Sequence, residues 1–234
     1  MNLVGFVSLV IATTLLHFFP TVVGTRIAVH PSARMTVAGL AAGAPVVALG
    51  FVIASDPIAR LGAIGVIGGA IGLGVYAGRT WQTRAHWTTD PGWHRFAMGG
   101  LVSAIAWLEA GIVVAAGRVL AFGADPAGWS VEAIAGPLVI GWIGLAILSS
   151  ATHLLPAIGP GNHQVHARQR QLLGRVATVR LVVLNAGVLA LAVGLPLGSA
   201  LLTSLGAVLA MLGLGMSAGL LGAAVVMGVR PRPT

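Results

Sequence analysis

Seven long apolar runs, separated by short polar turns, constrain the fold of this 234-residue chain more than any other feature. About 20 consecutive apolar residues are enough for a helix to cross the hydrocarbon core of a bilayer. We therefore predict an all-α polytopic bundle, with spans at roughly 3–24, 35–54, 58–78, 95–119, 133–157, 176–195 and 199–228. Turn clusters such as Asp90-Pro91-Gly92 and Gly159-Pro160-Gly161 mark the breaks between spans.

The composition supports a membrane protein and narrows the possible chemistry. Hydrophobic residues make up 57% of the chain and charged residues 8%. The chain has no cysteine, which excludes disulfides, iron–sulfur clusters and thiolate metal sites. The first apolar run begins directly after Met1 and Asn2, without a basic segment or a cleavage motif, so we expect a retained first span rather than a removed signal peptide.

The placement of the arginines predicts the orientation of the chain in the membrane. All 13 basic residues are arginines in or near the turns, which the positive-inside rule explains more simply than nucleic-acid binding does. Eleven share one side if the N-terminus is outside and the C-terminus cytoplasmic: Arg26, Arg34, Arg79, Arg84, Arg95, Arg168, Arg170, Arg175, Arg180, Arg230 and Arg232. The other side keeps Arg60 and Arg118 together with Asp56, Asp125 and Glu132. We expect a multi-pass protein of the inner (cytoplasmic) membrane.

One membrane segment occurs twice, and each copy carries a histidine before a proline. The segment from Gly5 to Pro20 aligns without a gap with the segment from Gly141 to Pro156. The alignment predicts one transmembrane domain, 1–234, with two parallel three-helix repeats, spans 1–3 (residues 1–79) and spans 5–7 (131–234). The fourth span lies between them, in residues 80–130. Parallel repeats are related by an axis along the membrane normal, which would bring the first and fifth spans together.

The matched histidines of this repeat, His17 and His153, are the main candidates for a functional site. An ionisable residue within a span is costly, so it is a functional hypothesis by default. Imidazoles on two facing helices can supply both axial ligands of a b-type haem. Arginines near the same level are natural partners for its propionates, namely Arg26, Arg34, Arg170 and Arg180. In the alternative interpretation, each histidine bonds a backbone carbonyl that the following proline leaves free.

Polar residues accompany the two histidines at helical spacing. On the first span these are Thr14, Thr21 and Thr25, and on the fifth Ser149 and Ser150. We expect both stripes to face the bundle interior, because lipid would not satisfy them.

Other histidines lie near the same side of the membrane. His30 and His166 form a second matched pair, and a metal site that includes them or His94 is possible, although loop histidines beside arginines are more often solvated. His94 begins the fourth span and could reach a cofactor. Trp81, Trp87 and Trp93 in the same region predict an aromatic belt at the interface.

Glu109 is the one acidic residue deep inside a predicted span. Burying it ionised would cost several kcal/mol, so it is expected to be protonated or paired. It could serve as a proton relay or contact a quinone. Alternatively it is a neutral acid bonded to a neighbouring helix, with Asn185 or Tyr76 as partner.

Short motifs resemble a known group of membrane domains. The stretch from Asn2 to Val7, the stretch from Phe19 to Arg26, and Leu154-Leu155-Pro156 are similar to small membrane domains that accompany copper nitrite-reductase-like oxidases in high-GC bacteria. Those domains look like reduced relatives of haem-copper oxidase subunit I and of NnrS. The resemblance implies haem b, possible copper, oxygen or nitrogen-oxide chemistry, and His17 and His153 as haem ligands. The chain is shorter than those oxidases and lacks their His-Pro-Glu-Val run and His-His copper pair, which argues against a binuclear centre.

The leading functional hypothesis is a haem b-binding redox protein of a respiratory chain. It would pass electrons to or from quinol, a copper protein or another membrane subunit, within a larger complex or as a homo-oligomer. If it is an enzyme, it is an oxidoreductase component. The alternatives are a proton-coupled small-solute transporter that uses Glu109, and a cofactor-free anchor or assembly subunit of a redox complex.

Overall fold

A computed structural model describes residues 3–27, 30–86, 89–125, 128 and 131–229, and every regular element among them is helical. Seven helices are long and apolar enough to cross a membrane: α1 (Gly5–Val23), α2 (Pro31–Val52), α3 (Asp56–Gln82), α4 (Pro91–Phe122), α5 (Val131–Ile158), α7 (Ala177–Gly194) and α8 (Ala200–Val229). The all-α, seven-span prediction is confirmed, with helix ends shifted by at most four residues. The predictions that involve Asn2, Trp87, Arg230 and Arg232 lie outside the described residues.

Turn chemistry fixes where the helices begin and end. Prolines occupy the first turn of α2, α3 and α4, where a missing backbone N–H costs nothing. Gly24 ends α1 with φ of 73°, a left-handed conformation that glycine adopts without a Cβ penalty. Of these signals, the prolines of α3 and α4 were used to predict the span boundaries, whereas Gly24 and Pro31 were not.

The helix α6 (His163–Leu173) was not predicted. It is short and rich in polar residues, so a search for long apolar runs does not detect it. Asn162 caps its first turn, with the side-chain oxygen accepting a hydrogen bond from the N–H of Val165 at 3.1 Å. Leu173 and Gln169 bury one face of α6 against the bundle. The helix thereby packs against α4, α5 and α8.

Two tightly packed helix pairs frame the bundle. In the α2–α3 pair, a Cβ added at Gly39 would lie 2.5 Å from the backbone nitrogen of Gly69, so the two backbones are nearly in contact. In the α7–α8 pair, a Cβ at Gly187 would lie 2.5 Å from the backbone nitrogen of Ala210. Small residues permit this approach in membranes. Helix α4 lies between the two pairs, with residues buried along its whole length.

Gly-x-x-x-Gly spacings in the third and seventh apolar runs predict that both of these helices lie inside the bundle, and the structure agrees only in part. The spacings are Gly65/Gly69, Gly68/Gly72 and Gly74/Gly78 in α3, and Gly215/Gly219 in α8. Gly69 and Gly72 of α3 pack against α2 as expected. Gly215 and Gly219 of α8 are exposed, and a Cβ at either would meet nothing within 4 Å. The prediction that α8 lies inside the bundle is therefore wrong, because α8 buries its opposite face, through Gly206 and others, against α7.

The two aligned segments share an unusual backbone. Leu3–Val7, which leads into α1, is π-helical, and so is Gly136–Gly144 within α5. The repeat alignment places the first of these on 139–143, inside the second. The two segments also touch, since Nε1 of the buried Trp142 donates to Oγ of Ser8 at 3.2 Å. π-Helical turns are rare and tend to mark functional regions.

Contacts between loops join each end of the bundle. At the end that carries most of the arginines, called the arginine-rich end below, the N–H of Ala85 donates to the carbonyl of Val23 at 2.9 Å. At the opposite end the Asp56 carboxylate accepts from the N–H of Ala124 at 2.8 Å. The chain is thus an integral membrane protein whose turns form two distinct polar ends.

Candidate functional site

A polar cavity of about 610 Å³ opens at the arginine-rich end between α1, α4, α5 and α6. Its lining is mostly polar or aromatic: Thr21, Thr89, Asp90, Trp93, His94, His153 and Arg170. His153 and Arg170, which the sequence suggests as a haem ligand and a propionate partner, line the cavity together with His94, which the sequence suggests could reach a cofactor. We call this space the His94–His153 cavity.

The start of α4 positions two of the cavity residues. Asp90 has φ of 47°, and Pro91 begins the helix directly after it. Gly92 packs against the backbone of Gly174, at the end of α6, which holds this first turn inside the bundle. Trp93 and His94 are consequently buried, although their position in the sequence predicted an interface for Trp93. The prediction of an aromatic belt fails for this residue.

The Trp93 indole connects the two histidines. Its ring lies parallel to the His153 imidazole, with an interplanar angle of 4° and centroids 5.1 Å apart. The centroid of the His94 imidazole lies 4.5 Å from that of the indole. Both imidazoles therefore contact the same indole, and the Phe18 ring of α1 meets the His153 ring edge-on, with centroids 5.7 Å apart.

The carbonyls that prolines leave free in α1 and α5 are bonded by aromatic side chains and not by the histidines. Pro20 removes the donor for the carbonyl of Leu16, and Pro156 removes the donor for the carbonyl of Thr152. Both carbonyls are satisfied from other helices. Tyr76 Oη of α3 donates to Leu16 at 2.6 Å, and Trp93 Nε1 of α4 donates to Thr152 at 2.6 Å.

These two bonds occupy equivalent positions in the aligned segments, and they replace the role that the alternative interpretation gave to the histidines. Nδ1 of His153 is buried without a hydrogen-bond partner among the described residues. The His153 imidazole is therefore not committed to the backbone.

An ion pair stands at the mouth of the cavity. Nε of Arg170 donates to a carboxylate oxygen of Asp90 at 2.7 Å, which ties α6 to the start of α4. The Arg170 guanidinium also lies over the Trp93 ring, 5.8 Å from its centroid. The pair therefore fixes the position of Trp93 as well as that of α6.

Buried polar atoms continue below the cavity. Ser149 Oγ and Thr152 Oγ1 on α5 are buried without hydrogen-bond partners among the described residues. Of the predicted polar stripe of α5, Ser149 therefore faces inwards, while Ser150 is half-buried. Arg180 of α7 is 0% exposed and places its guanidinium 3.8 Å from the centroid of the Phe96 ring. Its Nη2 donates to the carbonyl of Leu173, while Nε and Nη1 have no partner in the described part of the chain. A buried guanidinium with two such nitrogens is suited to an anionic group.

The structure does not bring His17 into this cavity. His17 is exposed and lines a different cavity, between α1 and α2, together with Arg34. Thr14, on the same face, is also exposed and bonds its own helix backbone. The prediction that the polar stripe of the first span faces inwards is therefore wrong for these two residues. Arg26 is exposed and lines neither cavity.

The second matched pair has structural roles at the starts of two helices, and His166 lies in the first turn of α6 rather than in the loop that the sequence predicted. His30 caps α2 by accepting from the N–H of Ser32 at 3.1 Å, and its Nε2 meets the Arg79 guanidinium. His166 Nε2 lies 3.2 Å from the carbonyl oxygen of Gly159. In the described ranges, no group of three or more His, Cys, Asp or Glu side chains is arranged to hold a metal ion.

Glu109 lies between α4 and α3, away from both cavities. Its Oε1 is buried without a partner in the described residues, and it occupies the space that a side chain at Gly74 would fill, 2.9 Å from an ideal Cβ. Both expected partners are engaged elsewhere. Asn185 Oδ1 accepts from Trp107 Nε1 at 2.8 Å, and Tyr76 bonds Leu16.

Comparisons with protein-family models, with curated proteins and with solved structures found no match. Function must therefore be argued from the site itself.

Proposed function

We propose that this chain is an integral membrane redox protein that binds a b-type haem in the His94–His153 cavity, with these two imidazoles as the axial ligands. The observation that supports the proposal most directly is that both histidines contact Trp93 in one cavity, while the proline-freed carbonyl of Thr152 is bonded by Trp93. The proposal keeps His153 from the matched pair and replaces His17 by His94.

The set of donors fits a haem better than a bare metal ion. Haem iron needs one or two axial ligands from the protein, because the porphyrin supplies the other four nitrogens. A structural zinc site needs four protein ligands and a catalytic one usually three. The described residues offer two imidazoles here and no group of three ligands. The cavity, about 610 Å³, also falls within the usual range for cofactor sites, roughly 300–1,000 Å³.

Each neighbouring residue has a separate role in this proposal. Trp93 orients His153 by stacking, and its bond to Thr152 fixes the indole. Arg170 lines the cavity beside Asp90 and would bind a propionate, whereas Arg180 is fully buried and does not line the cavity. A bound haem would supply one-electron transfer, with a membrane redox subunit, a copper protein or quinol as the partner.

Optical spectroscopy of the purified chain tests the proposal. The protein is produced in a haem-replete bacterial host, and oxidised and dithionite-reduced spectra are recorded. We expect a Soret band and the spectrum of a low-spin, six-coordinate haem. His153→Ala should lose most of the haem. His94→Ala should give a high-spin, five-coordinate spectrum, which added imidazole returns to low spin.

His17→Ala is the matched control, because the same residue type is removed from the equivalent position of the other segment. It should leave the spectrum unchanged. A spectrum that depends on His17 and not on His94 would show that the wrong ligand pair has been assigned. A chain without a Soret band after haem reconstitution would refute haem binding, and co-purification of such a chain with redox subunits would favour the anchor function.

Glu109 supports a second candidate function, proton-coupled transport of a small solute. A carboxyl with a buried, unpartnered oxygen inside a span is a feature of proton pathways. Uptake driven by a proton gradient into proteoliposomes tests this candidate. Glu109→Gln should abolish such uptake, whereas His153→Ala should not. Equal uptake by the Glu109 variant and the wild type would exclude Glu109 as the coupling residue.

A further inference from the structure

A second recess runs along the outer face of the bundle between α1 and α2. At the arginine-rich end it is a cavity of about 440 Å³ whose lining includes His17 and Arg34. Further along it is a cavity of about 290 Å³ whose lining includes Phe6 and Ala48. Ala41 lines both cavities, so they form one groove, called the α1–α2 groove below.

The packing of α2 explains why this groove exists. Gly39 and Gly43 face α3 so closely that their backbones nearly touch it. The neighbouring residue Ala41 points away from α3 and is exposed. Helix α1 approaches α2 mainly at its first turns, where Gly5 lies against Ala44. The remaining space between the two helices is open to the lipid.

The groove is longer than one half of the membrane. Arg34 and Ala48 are 14 positions apart on α2, which corresponds to about 21 Å along the helix axis. The hydrocarbon core is about 30 Å thick, so one leaflet contributes about 15 Å. A chain that filled the groove from the arginine-rich end would therefore pass the middle of the membrane.

Polar chemistry is confined to one end of the groove. Arg34 and His17 are both exposed there, and neither side chain has an ion-pair or hydrogen-bond partner among the described residues. The residues towards the other end, Phe6, Ala41 and Ala48, are apolar. A cation and an imidazole donor above a long apolar groove are complementary to an anionic head group on a long hydrocarbon chain.

We propose that the α1–α2 groove binds a lipid with a single long chain and a compact anionic head, a polyprenyl phosphate, with the phosphate on Arg34 and His17. A diacyl phospholipid anchored at the same surface fills one leaflet and would leave the far half of the groove, at Phe6 and Ala48, unoccupied. The single chain reaches both halves. This site is separate from the His94–His153 cavity and does not depend on the haem proposal.

Native mass spectrometry of the full chain in detergent tests the proposal. The probe is undecaprenyl monophosphate, and the comparison lipids are the uncharged undecaprenyl alcohol and dioleoyl phosphatidylglycerol. We expect the polyprenyl phosphate to bind at least tenfold more tightly than either comparison lipid. Arg34→Gln and Ala41→Phe should each weaken its binding at least tenfold, because they remove the head-group cation and block the middle of the groove.

Matched controls are available at exposed positions outside the groove. Arg168→Gln removes an arginine at the same end, and Ala207→Phe adds an aromatic ring on α8. Both should leave the affinity unchanged. Ala41 and Ala207 are exposed to lipid, so neither change affects the core, and circular dichroism checks folding. Equal affinity for the alcohol, equal affinity for phosphatidylglycerol, or undiminished binding by the Ala41 variant would overturn the proposal.

Discussion

Two side-chain donors cross between helices to carbonyls that prolines have left free. Tyr76 bonds the Leu16 carbonyl opposite Pro20, and Trp93 bonds the Thr152 carbonyl opposite Pro156. In hydrocarbon an unsatisfied backbone group costs several kcal/mol, so each aromatic donor is strongly required. These contacts also determine which aromatic faces remain available, and Trp93 uses its face to orient His153.

Tyr76→Phe removes a hydroxyl without changing the packing of the ring. We expect this change to lower the free energy of unfolding by about 1–3 kcal/mol, because the Leu16 carbonyl loses its partner in a buried environment. Unfolding by denaturant in detergent micelles, followed by circular dichroism, measures the loss.

A second variant tests whether the proline is the cause. Pro20→Ala restores a backbone N–H that can bond Leu16 within α1. In that background, Tyr76→Phe should cost less than in the wild type, giving a coupling energy in a double-mutant cycle. Equal costs in both backgrounds would contradict the assignment.

The sequence predicted several residues that line the cavity, but it paired His153 with the wrong histidine for this cavity. His153 and Arg170 were named and do lie in the cavity. His94 was named as a secondary possibility, yet it is the imidazole that shares Trp93 with His153. The repeat favoured His17 as the partner of His153, because the two occupy equivalent positions in the aligned helices. An alignment does not show the direction in which each of these side chains points. A hydrogen bond to Thr152 could have been predicted from Pro156, because a proline inside a helix leaves the carbonyl four residues earlier without a backbone donor.

At the scale of helices, glycine placement decides which faces can meet. Adjacent residues of α3 show the contrast. A Cβ added at Gly69 would lie 2.8 Å from the backbone nitrogen of Leu40, whereas a Cβ at Gly68 would meet nothing within 4 Å. Helix α3 therefore approaches α2 through Gly69 and presents Gly68 to open space.

This contrast gives a matched pair of substitutions. Gly69→Ala should destabilise the protein by about 1–3 kcal/mol, because the α2 and α3 backbones must separate to admit a methyl group. Gly68→Ala should be neutral or stabilising by up to about 1 kcal/mol, since alanine favours the helix. Thermal unfolding in detergent compares the two variants. Equal destabilisation by both would show that close approach at Gly69 is not what limits the packing.

Element boundaries were predictable because prolines and glycines stand at them, whereas two features of the helices were not. Apolar length alone did not detect α6, whose polar residues pack beside the cavity. Apolar length also does not reveal the π-helical segment Gly136–Gly144. Its backbone depends on Pro137 and on the packing of the neighbouring helices. Both features bear on the site, since α6 carries Arg170 and α5 carries His153.

For the whole molecule, the uneven distribution of arginines predicts one orientation. The chain has no cysteine, so each introduced thiol is unique. Gln171→Cys places a thiol at the arginine-rich end, and Leu197→Cys places one in the exposed turn between α7 and α8 at the other end.

A membrane-impermeant maleimide added to intact cells should label the cysteine at position 197 and leave that at 171 unlabelled until the membrane is permeabilised. The reason is that arginine-rich turns are retained on the cytoplasmic side. Labelling of position 171 alone in intact cells would reverse the assigned orientation.

Helix α1 forms a wall one helix thick between the His94–His153 cavity and the α1–α2 groove. His17 borders the α1–α2 groove on one side, while Phe18 touches His153 on the other. Successive residues of an α-helix point about 100° apart, so a rotation of α1 by a single residue would turn His17 into the direction that Phe18 now occupies. The π-helical turn Leu3–Val7 lies at the start of the same helix, where gaining or losing one residue of register rotates everything that follows. His17 and His153 thus face different cavities because of the helical register of α1, and a shift of one residue would remove that difference.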